Sequence, residues 1–353
     1  MKKACIIGHF AFGENATDGQ TIKTKILADT LSARLDGEVG RIDTSGGAKT
    51  LLKSPFQVLS AFRQAENVIM LPAHHGLRIY GRLLPFFRHF FKKKKIFYVV
   101  IGGWLSSLLG KHKRLVSSLK KFDGIYVETK TMKTALESKG FKNIHILVNF
   151  KNLSPVKNTD LIYQQEEPYR LCIFSRVNIQ KGIGDAVKAV EAINRKYNRT
   201  VYSLDIYGPI DAGQEPWFEE LQKNFPPCVK YCGVIPFEKS TETLKNYFSL
   251  LFPTRYYTEG IPGTLIDAYA AGIPVISARW ESYADVVEEG ATGIGYEFGN
   301  TEDLILKLDE IQKCPGRFNE LKPACLKKST EFLPDRAIRI LIEGMAMNGY
   351  GHQ

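Results

Sequence analysis

The stretch that decides the fold runs Leu250-Leu-Phe-Pro-Thr-Arg-Tyr-Tyr-Thr-Glu-Gly-Ile-Pro-Gly-Thr-Leu-Ile-Asp-Ala-Tyr-Ala-Ala-Gly-Ile-Pro-Val-Ile-Ser277. An apolar strand, Leu250 to Phe252, feeds a short loop holding an acid, Glu259. Pro262 and Gly263 open a helix, and a second acid, Asp267, lies about one turn into it. Gly272 closes the helix ahead of a buried strand, Val275 to Ser277. Unpaired N–H groups at a helix start, aided by the helix dipole, can hold a phosphate. Glu259 is placed to reach a sugar outside the helix, and Asp267 to accept hydrogen bonds from ribose hydroxyls. An ordinary βαβ unit with a solvated acid in its loop has the same layout, so spacing alone leaves both readings open.

The segment resembles the Glu-x7-Glu signature of the retaining glycosyltransferases of family 4, which have the GT-B fold. Asp267 stands where that family usually has Glu, a side chain shorter by one methylene. The resemblance implies an α/β chain of two Rossmann-like domains facing across a cleft. On that reading residues 1–158 form the acceptor-binding domain and 159–330 the nucleotide-sugar domain, and 331–353 return as a helix to the first domain. It also implies donor contacts from Ile261, Pro262, Gly263, Thr264 and Asp267, with Glu259 on the transferred sugar.

Working outward, Ser175-Arg176-Val-Asn-Ile-Gln-Lys181-Gly182 bridges the end of one strand and the start of a helix. Two cations five residues apart suit a diphosphate: Arg makes bidentate contacts, and Lys adds a point charge. Two solvated cations at a turn would look the same. The segment resembles the family's Gly-Arg … Lys-Gly element, with Ser175 in place of Gly, and this carries the phosphate-binding role to Arg176 and Lys181. Gly208-Pro209 and Gly233-Val234-Ile235 end two further strands, where ligands of open parallel sheets bind. In the family the second of these turns lies against the nucleobase.

Short apolar runs alternating with helix-period segments argue for parallel α/β architecture along the whole chain. Strands are expected near Ala4–Ile7, Val68–Leu71, Ile96–Ile101, Gly124–Val127 and Ile144–Leu147 in the first half. In the second they are expected near Leu171–Phe174, Ser203–Tyr207, Val229–Cys232, Leu250–Phe252 and Val275–Ser277. Residues 151–168 are polar with a proline near each end and read as a linker. The helical segment Asp335–Met347 shows an apolar face of Ile338, Leu341, Ile342 and Met345. In GT-B enzymes such a helix crosses back to the first domain; a terminal helix on its own domain fits the same pattern.

In the first half, Asp18-Gly19-Gln20-Thr21 caps a helix, and Gly19 lets a ligand approach the backbone. The family's early glycine turn faces the donor, which carries Gly19 and Gln20 over. Many members place a His after a first-domain strand to contact the transferred sugar. Here Gly102-Gly103-Trp104 follows that strand instead, and His74-His75 follows the preceding one. His75, Gly103 and Trp104 are therefore the acceptor and sugar candidates.

At 353 residues, 44% hydrophobic and 24% charged, the chain suits two domains, each with a core. The net charge of +11 is unevenly spread. Residues 1–150 carry 25 Lys/Arg against 10 Asp/Glu, and residues 151–353 carry 23 against 27. Between Arg78 and Lys121 there are 12 Lys/Arg and no acid. Ile79, Leu83, Phe86, Phe87, Phe90 and Phe91 recur there at helical spacing, with Pro85 starting a second helix or kinking the first. An apolar face amid dense positive charge suits an anionic membrane surface, extended by Trp104, Leu105, Leu108 and Leu109. A buried face with a basic rim is the competing reading. No nucleic-acid recognition module is evident.

The six cysteines form no disulfide or zinc pattern and read as reduced thiols. The start reads as a first strand rather than a signal peptide, and no apolar run reaches membrane-spanning length. The expected location is cytoplasmic, peripheral on the inner face of the plasma membrane. The expected function is retaining hexosyl transfer from a nucleoside diphosphate sugar, a UDP-sugar ahead of a GDP-sugar, to a saccharide or polyprenyl-linked acceptor. Bacterial surface polysaccharide or lipopolysaccharide synthesis is the expected setting. No cofactor and no metal is expected, since two cations and a helix end answer the diphosphate and no Asp-x-Asp occurs. A GT-B sugar-nucleotide epimerase and a degenerate sugar-nucleotide binder are the alternatives.

Overall fold

A computed structural model describes residues 1–13, 19–35, 39–46, 50 and 52–346. The chain divides into two compact units. One comprises Met1–Asn152 together with the C-terminal segment from Phe332, and the other is Leu153–Glu331. The first boundary falls at residue 152 rather than 158 because the Val156 N–H already donates to the Ala270 carbonyl at 2.9 Å. Asp18 and Met347 lie outside the described residues.

The first unit is built on a six-stranded parallel sheet of β1 (Lys2–Gly8), β2 (Gly40–Asp43), β3 (Ala65–Met70), β4 (Lys95–Val99), β5 (Gly124–Val127) and β6 (Ile144–Ile146), ordered β2-β1-β3-β4-β5-β6. Buried on both faces, β1, β3, β4 and β5 are largely apolar runs, as parallel strands under helices must be. Cys5, Ile7, Val68, Met70, Ile96 and Tyr98 face one apolar cluster, and Ala4, Ile6, Ile69, Phe97 and Val99 face another. The second cluster is completed by Ala337, Ile338, Leu341 and Met345 of the helix Pro334–Ala346. That helix packs on the helix Gly19–Arg34, and Lys95 Nζ donates to its Met345 carbonyl at 2.9 Å.

The second unit repeats the plan with β7 (Tyr169–Phe174), β8 (Tyr202–Tyr207), β9 (Val229–Gly233), β10 (Ser249–Phe252), β11 (Val275–Ala278) and β12 (Gly293–Tyr296), all parallel and ordered β12-β11-β10-β7-β8-β9. The helices Ile183–Tyr197 and Thr301–Lys313 cover one face around Leu171, Ile173, Leu204 and Ile206. The chain order reverses between β7 and β10, a topological switch point of the kind that opens a crevice at the carboxyl ends of the strands.

The stretch 105–121 forms two short helices, Leu105–Leu109 and Lys113–Leu119, separated at Gly110. Two expectations for the first half change. Pro85 lies inside one continuous helix, His74–Phe90, rather than starting another. Leu105 and Leu109 do not extend an exposed apolar surface, because both side chains are buried in the core, and Trp104 and Leu108 pack against it.

Candidate active site

The loop Ser175–Gly182 leaves β7 and the loop Pro253–Gly260 leaves its neighbour β10, so both emerge at the carboxyl edge of the second sheet. Their backbones touch. Gly182 has φ +68°, and a Cβ there would lie 1.8 Å from the Pro253 carbonyl oxygen, so only glycine fits. Gly208 (φ +137°) is pressed in the same way against the Ser175 carbonyl, and its N–H donates to Gly233 O at 2.9 Å. The predicted turn residues Gly208 and Gly233 are thus joined beside Arg176, while Val234 is exposed and Ile235 half-buried.

On this frame Lys181 Nζ and Glu259 Oε1 meet at 2.5 Å, with side chains 14% and 18% exposed. The ammonium also lies 5.0 Å from the Tyr256 ring centroid and 5.7 Å from that of Phe252, favourable positions for a cation. Thr254 Oγ1 donates to the same Glu259 oxygen at 3.3 Å and accepts the Tyr256 N–H. Two predicted site residues 78 positions apart therefore form one partly desolvated pair.

Arg176 reaches outward. Its side chain is 60% exposed and paired loosely, at 3.4 Å, with Asp211, which also accepts from Asn178 Nδ2 at 2.7 Å. Asn178 in turn accepts the Lys181 backbone N–H, shaping the turn that presents Lys181.

The helix Gly263–Ala270 begins after Pro262, whose position offers no side-chain cap, and no acid occupies its first turn. The Thr264 hydroxyl oxygen is buried without a hydrogen-bond partner among the described residues. Ile261 and Asp267 are buried, Asp267 to 4% exposure.

The candidates of the first half lie in the first unit. Gln20 and His75 line one pocket of about 280 Å³ together with His9, Thr44, His74 and Tyr80. Gly19 opens the helix that carries Gln20 and has open space around its Cβ position. Trp104 stacks on His74 at 3.9 Å and donates its indole N–H to Ile101 O, while Gly103 is buried. Partial desolvation, with His75 and Arg78 beside it, lowers the His74 pKa and favours the neutral ring. Among the described residues no three His, Cys, Asp or Glu side chains gather as a metal site.

Several residues of this geometry escape sequence reading. Asp211, Asn178 and Thr254 orient the predicted groups. A bidentate pair, Arg255 with Asp185, ties the second loop to the helix that follows the first, at 2.7 and 2.8 Å. The only sequence signal for that pair is the place of each partner, Arg255 four residues from Glu259 and Asp185 four residues from Lys181.

Comparison with known proteins agrees with this architecture. Two parallel six-stranded sheets of this kind define the GT-B fold. HepE of Anabaena, solved in complex with UDP and glucose, superposes with a TM-score of 0.74 over 99% of this chain and 100% of its own at 14% identity. The lipopolysaccharide outer core galactosyltransferase WaaB superposes with a TM-score of 0.70 over 98% of this chain and 99% of its own at 16% identity. Residues 168–313 match the model of Glycosyl transferases group 1, so the sequence pattern of that group spans most of the second unit. The amylovoran biosynthesis glycosyltransferase AmsK of Erwinia amylovora is 26% identical over 196 residues, 53% of this chain; the match spans 46% of AmsK, less than half its length.

Proposed function

We infer that the chain is a glycosyltransferase that moves a sugar from a nucleoside diphosphate sugar to a saccharide or lipid-linked saccharide, with retention at the anomeric carbon. The observation carrying this is the meeting of Lys181 and Glu259 at the carboxyl edge of the second sheet, just ahead of a helix with an uncapped N-terminus. As the glycosidic bond breaks, negative charge builds on the leaving diphosphate. Lys181, Arg176 and the N–H groups at Gly263 and Thr264 answer it, and the unpartnered Thr264 hydroxyl adds a donor. Glu259, relieved of Lys181 by the diphosphate, opposes the positive charge developing on the sugar ring. Asp267 serves the ribose hydroxyls, and Gly208 and Gly233–Ile235 border the base. The acceptor attacks from the face the diphosphate leaves, and the departing phosphate takes its proton. This scheme assigns no enzymic base and uses no metal, because side-chain cations and a helix end balance the diphosphate.

The match to AmsK, named for amylovoran biosynthesis, supports a surface-polysaccharide role, and the likeness to HepE, solved with UDP and glucose, supports a UDP-sugar as donor. For the acceptor we favour a polyprenyl-linked saccharide at an anionic membrane. In the helix His74–Phe90, Leu83 and Phe87 pack inward, whereas Phe86 and Phe90 are 59% and 67% exposed. Arg82, Arg88, Lys92 and Lys121 line a groove with the two exposed rings. Among the described residues no helix is long and apolar enough to cross a membrane.

The test is thermal stabilisation by UDP, GDP, ADP and CMP, followed by assay of the nucleotide released from the matching sugar donor. Stabilisation by UDP and nucleotide release that rises with acceptor are expected. Indifference to all four nucleotides overturns the reading, and sugar inversion without release establishes an epimerase.

A further inference from the structure

Resting on the donor reading above, the geometry points to Arg255 as a positioning residue that keeps the Glu259 loop in place once Lys181 turns to the diphosphate. Lys181 has two partners in the proposed cycle. Without donor it closes on Glu259 and so fastens the loop Pro253–Gly260 to the loop Ser175–Gly182. With donor bound its ammonium is drawn to the phosphates, and that fastening is lost at the moment when Glu259 must be best placed.

Two contacts of Arg255 survive the exchange. Its backbone N–H donates to the Gln180 carbonyl at 2.8 Å, beside Lys181. Its guanidinium holds both oxygens of Asp185, Nε to Oδ2 at 2.8 Å and Nη2 to Oδ1 at 2.7 Å. Asp185 is a firm anchor: its side chain is 11% exposed and lies in the first turn of the helix Ile183–Tyr197, where the dipole favours an anion. A bidentate fork fixes direction as well as distance, which a lysine in its place would not do. Arg255 is four residues from Glu259, so it constrains where that carboxylate stands without touching the substrate.

A merely structural pair would matter equally with and without nucleotide. A positioning pair matters most once the diphosphate has claimed Lys181. Amide hydrogen exchange separates the two, read over residues 254–260 in the unmodified chain, Arg255→Ala, Arg255→Lys and Asp185→Asn, each with and without saturating UDP. Without UDP, exchange in Arg255→Ala should lie within about twofold of the unmodified chain, because Lys181 still holds Glu259. With UDP it should accelerate about tenfold, the loss of one charge-assisted contact. Asp185→Asn should do the same, Arg255→Lys should fall between, and Arg255→Ala combined with Asp185→Asn should be no worse than either single variant.

Equal acceleration with and without UDP, or none with UDP, overturns the positioning role while leaving the donor site intact. If UDP protects no segment of the unmodified chain, including residues 175–182, the donor reading itself fails and this role with it.

Discussion

Each unit carries an ion pair at the carboxyl edge of its sheet, and the two pairs differ sharply in burial. In the first unit Glu128, the residue after β5, takes Lys23 Nζ at 2.7 Å, and both side chains are 2% exposed. Gly102 N–H adds a bond to the same carboxylate oxygen at 3.2 Å, and the ammonium lies 5.5 Å from the Phe150 ring centroid. In the second unit Lys181 and Glu259 are several-fold more exposed and lie in loops rather than under them. A fully desolvated pair has no exchange partner, so it locks the start of a helix to two strand ends. A pair that water and ligand can reach is able to trade one partner for a substrate charge. On the proposed function, the same two residue types serve architecture in one sheet and chemistry in the other, and burial decides which.

That contrast can be broken most directly in the second unit. Lys181→Ala should lower transfer by about a hundredfold or more, the loss of one preorganised donor to developing charge, roughly 3 kcal/mol. Steady-state kinetics read this, and the melting temperature should change little. Arg176→Ala should cost less, because its side chain starts mostly in water. Near-normal rates in both variants would remove the diphosphate assignment. The first unit should show the reverse pattern. Lys23→Ala removes the cation that faces the buried Glu128 carboxylate and should destabilise the chain by about 3 kcal/mol. Chemical denaturation measures that, and a midpoint within error of the parent would refute the locking role.

A double variant sharpens the comparison at the basic face of the first unit. Phe86→Ser with Phe90→Ser should abolish most binding to vesicles rich in anionic lipid while changing stability by under about 1 kcal/mol, since both rings are mainly in solvent. Binding that persists, or that ignores salt, would exclude this surface as the membrane contact.

The smallest effect concerns Asp43. Partial burial pushes its pKa up, but bonds from Ser45 N–H and Oγ and from the Phe12 and Phe10 N–H groups outweigh this and hold it at about 2. A depressed carboxylate contributes stability above its unfolded pKa and loses it as pH falls toward the folded value. Stability should therefore decline between about pH 4 and pH 2, by about 1 kcal/mol after solvent screening. Asp43→Asn should flatten that segment of the pH profile, and an unchanged profile would contradict the assignment.

The alternation of apolar runs was enough to place ten of the twelve strands among the described residues, because parallel strands buried on both faces leave unbroken hydrophobic words in the sequence. The two it missed, Gly40–Asp43 and Gly293–Tyr296, are edge strands of four residues rich in glycine or charge, which resemble loops. Lys181 and Glu259, made candidates by motifs that resemble a known family's, do meet in the structure. Arg255 and Asp185 were not legible, because a pair 70 residues apart has no local spacing to betray it. The aromatic face was half legible: helical periodicity found Phe86, Phe87 and Phe90, but only packing shows that Phe87 turns inward and that Leu105 and Leu109 never reach the surface.

The helix Pro334–Ala346 supplies four buried side chains to a core whose other residues all come from the first 152 positions. During synthesis the ribosome therefore releases nearly the whole first half, and then all of the second, before the piece that seals the first core emerges. Until then Leu27, Leu31 and Tyr126 lack part of their cover. A fragment ending at residue 152 should therefore be more prone to aggregate than the whole chain.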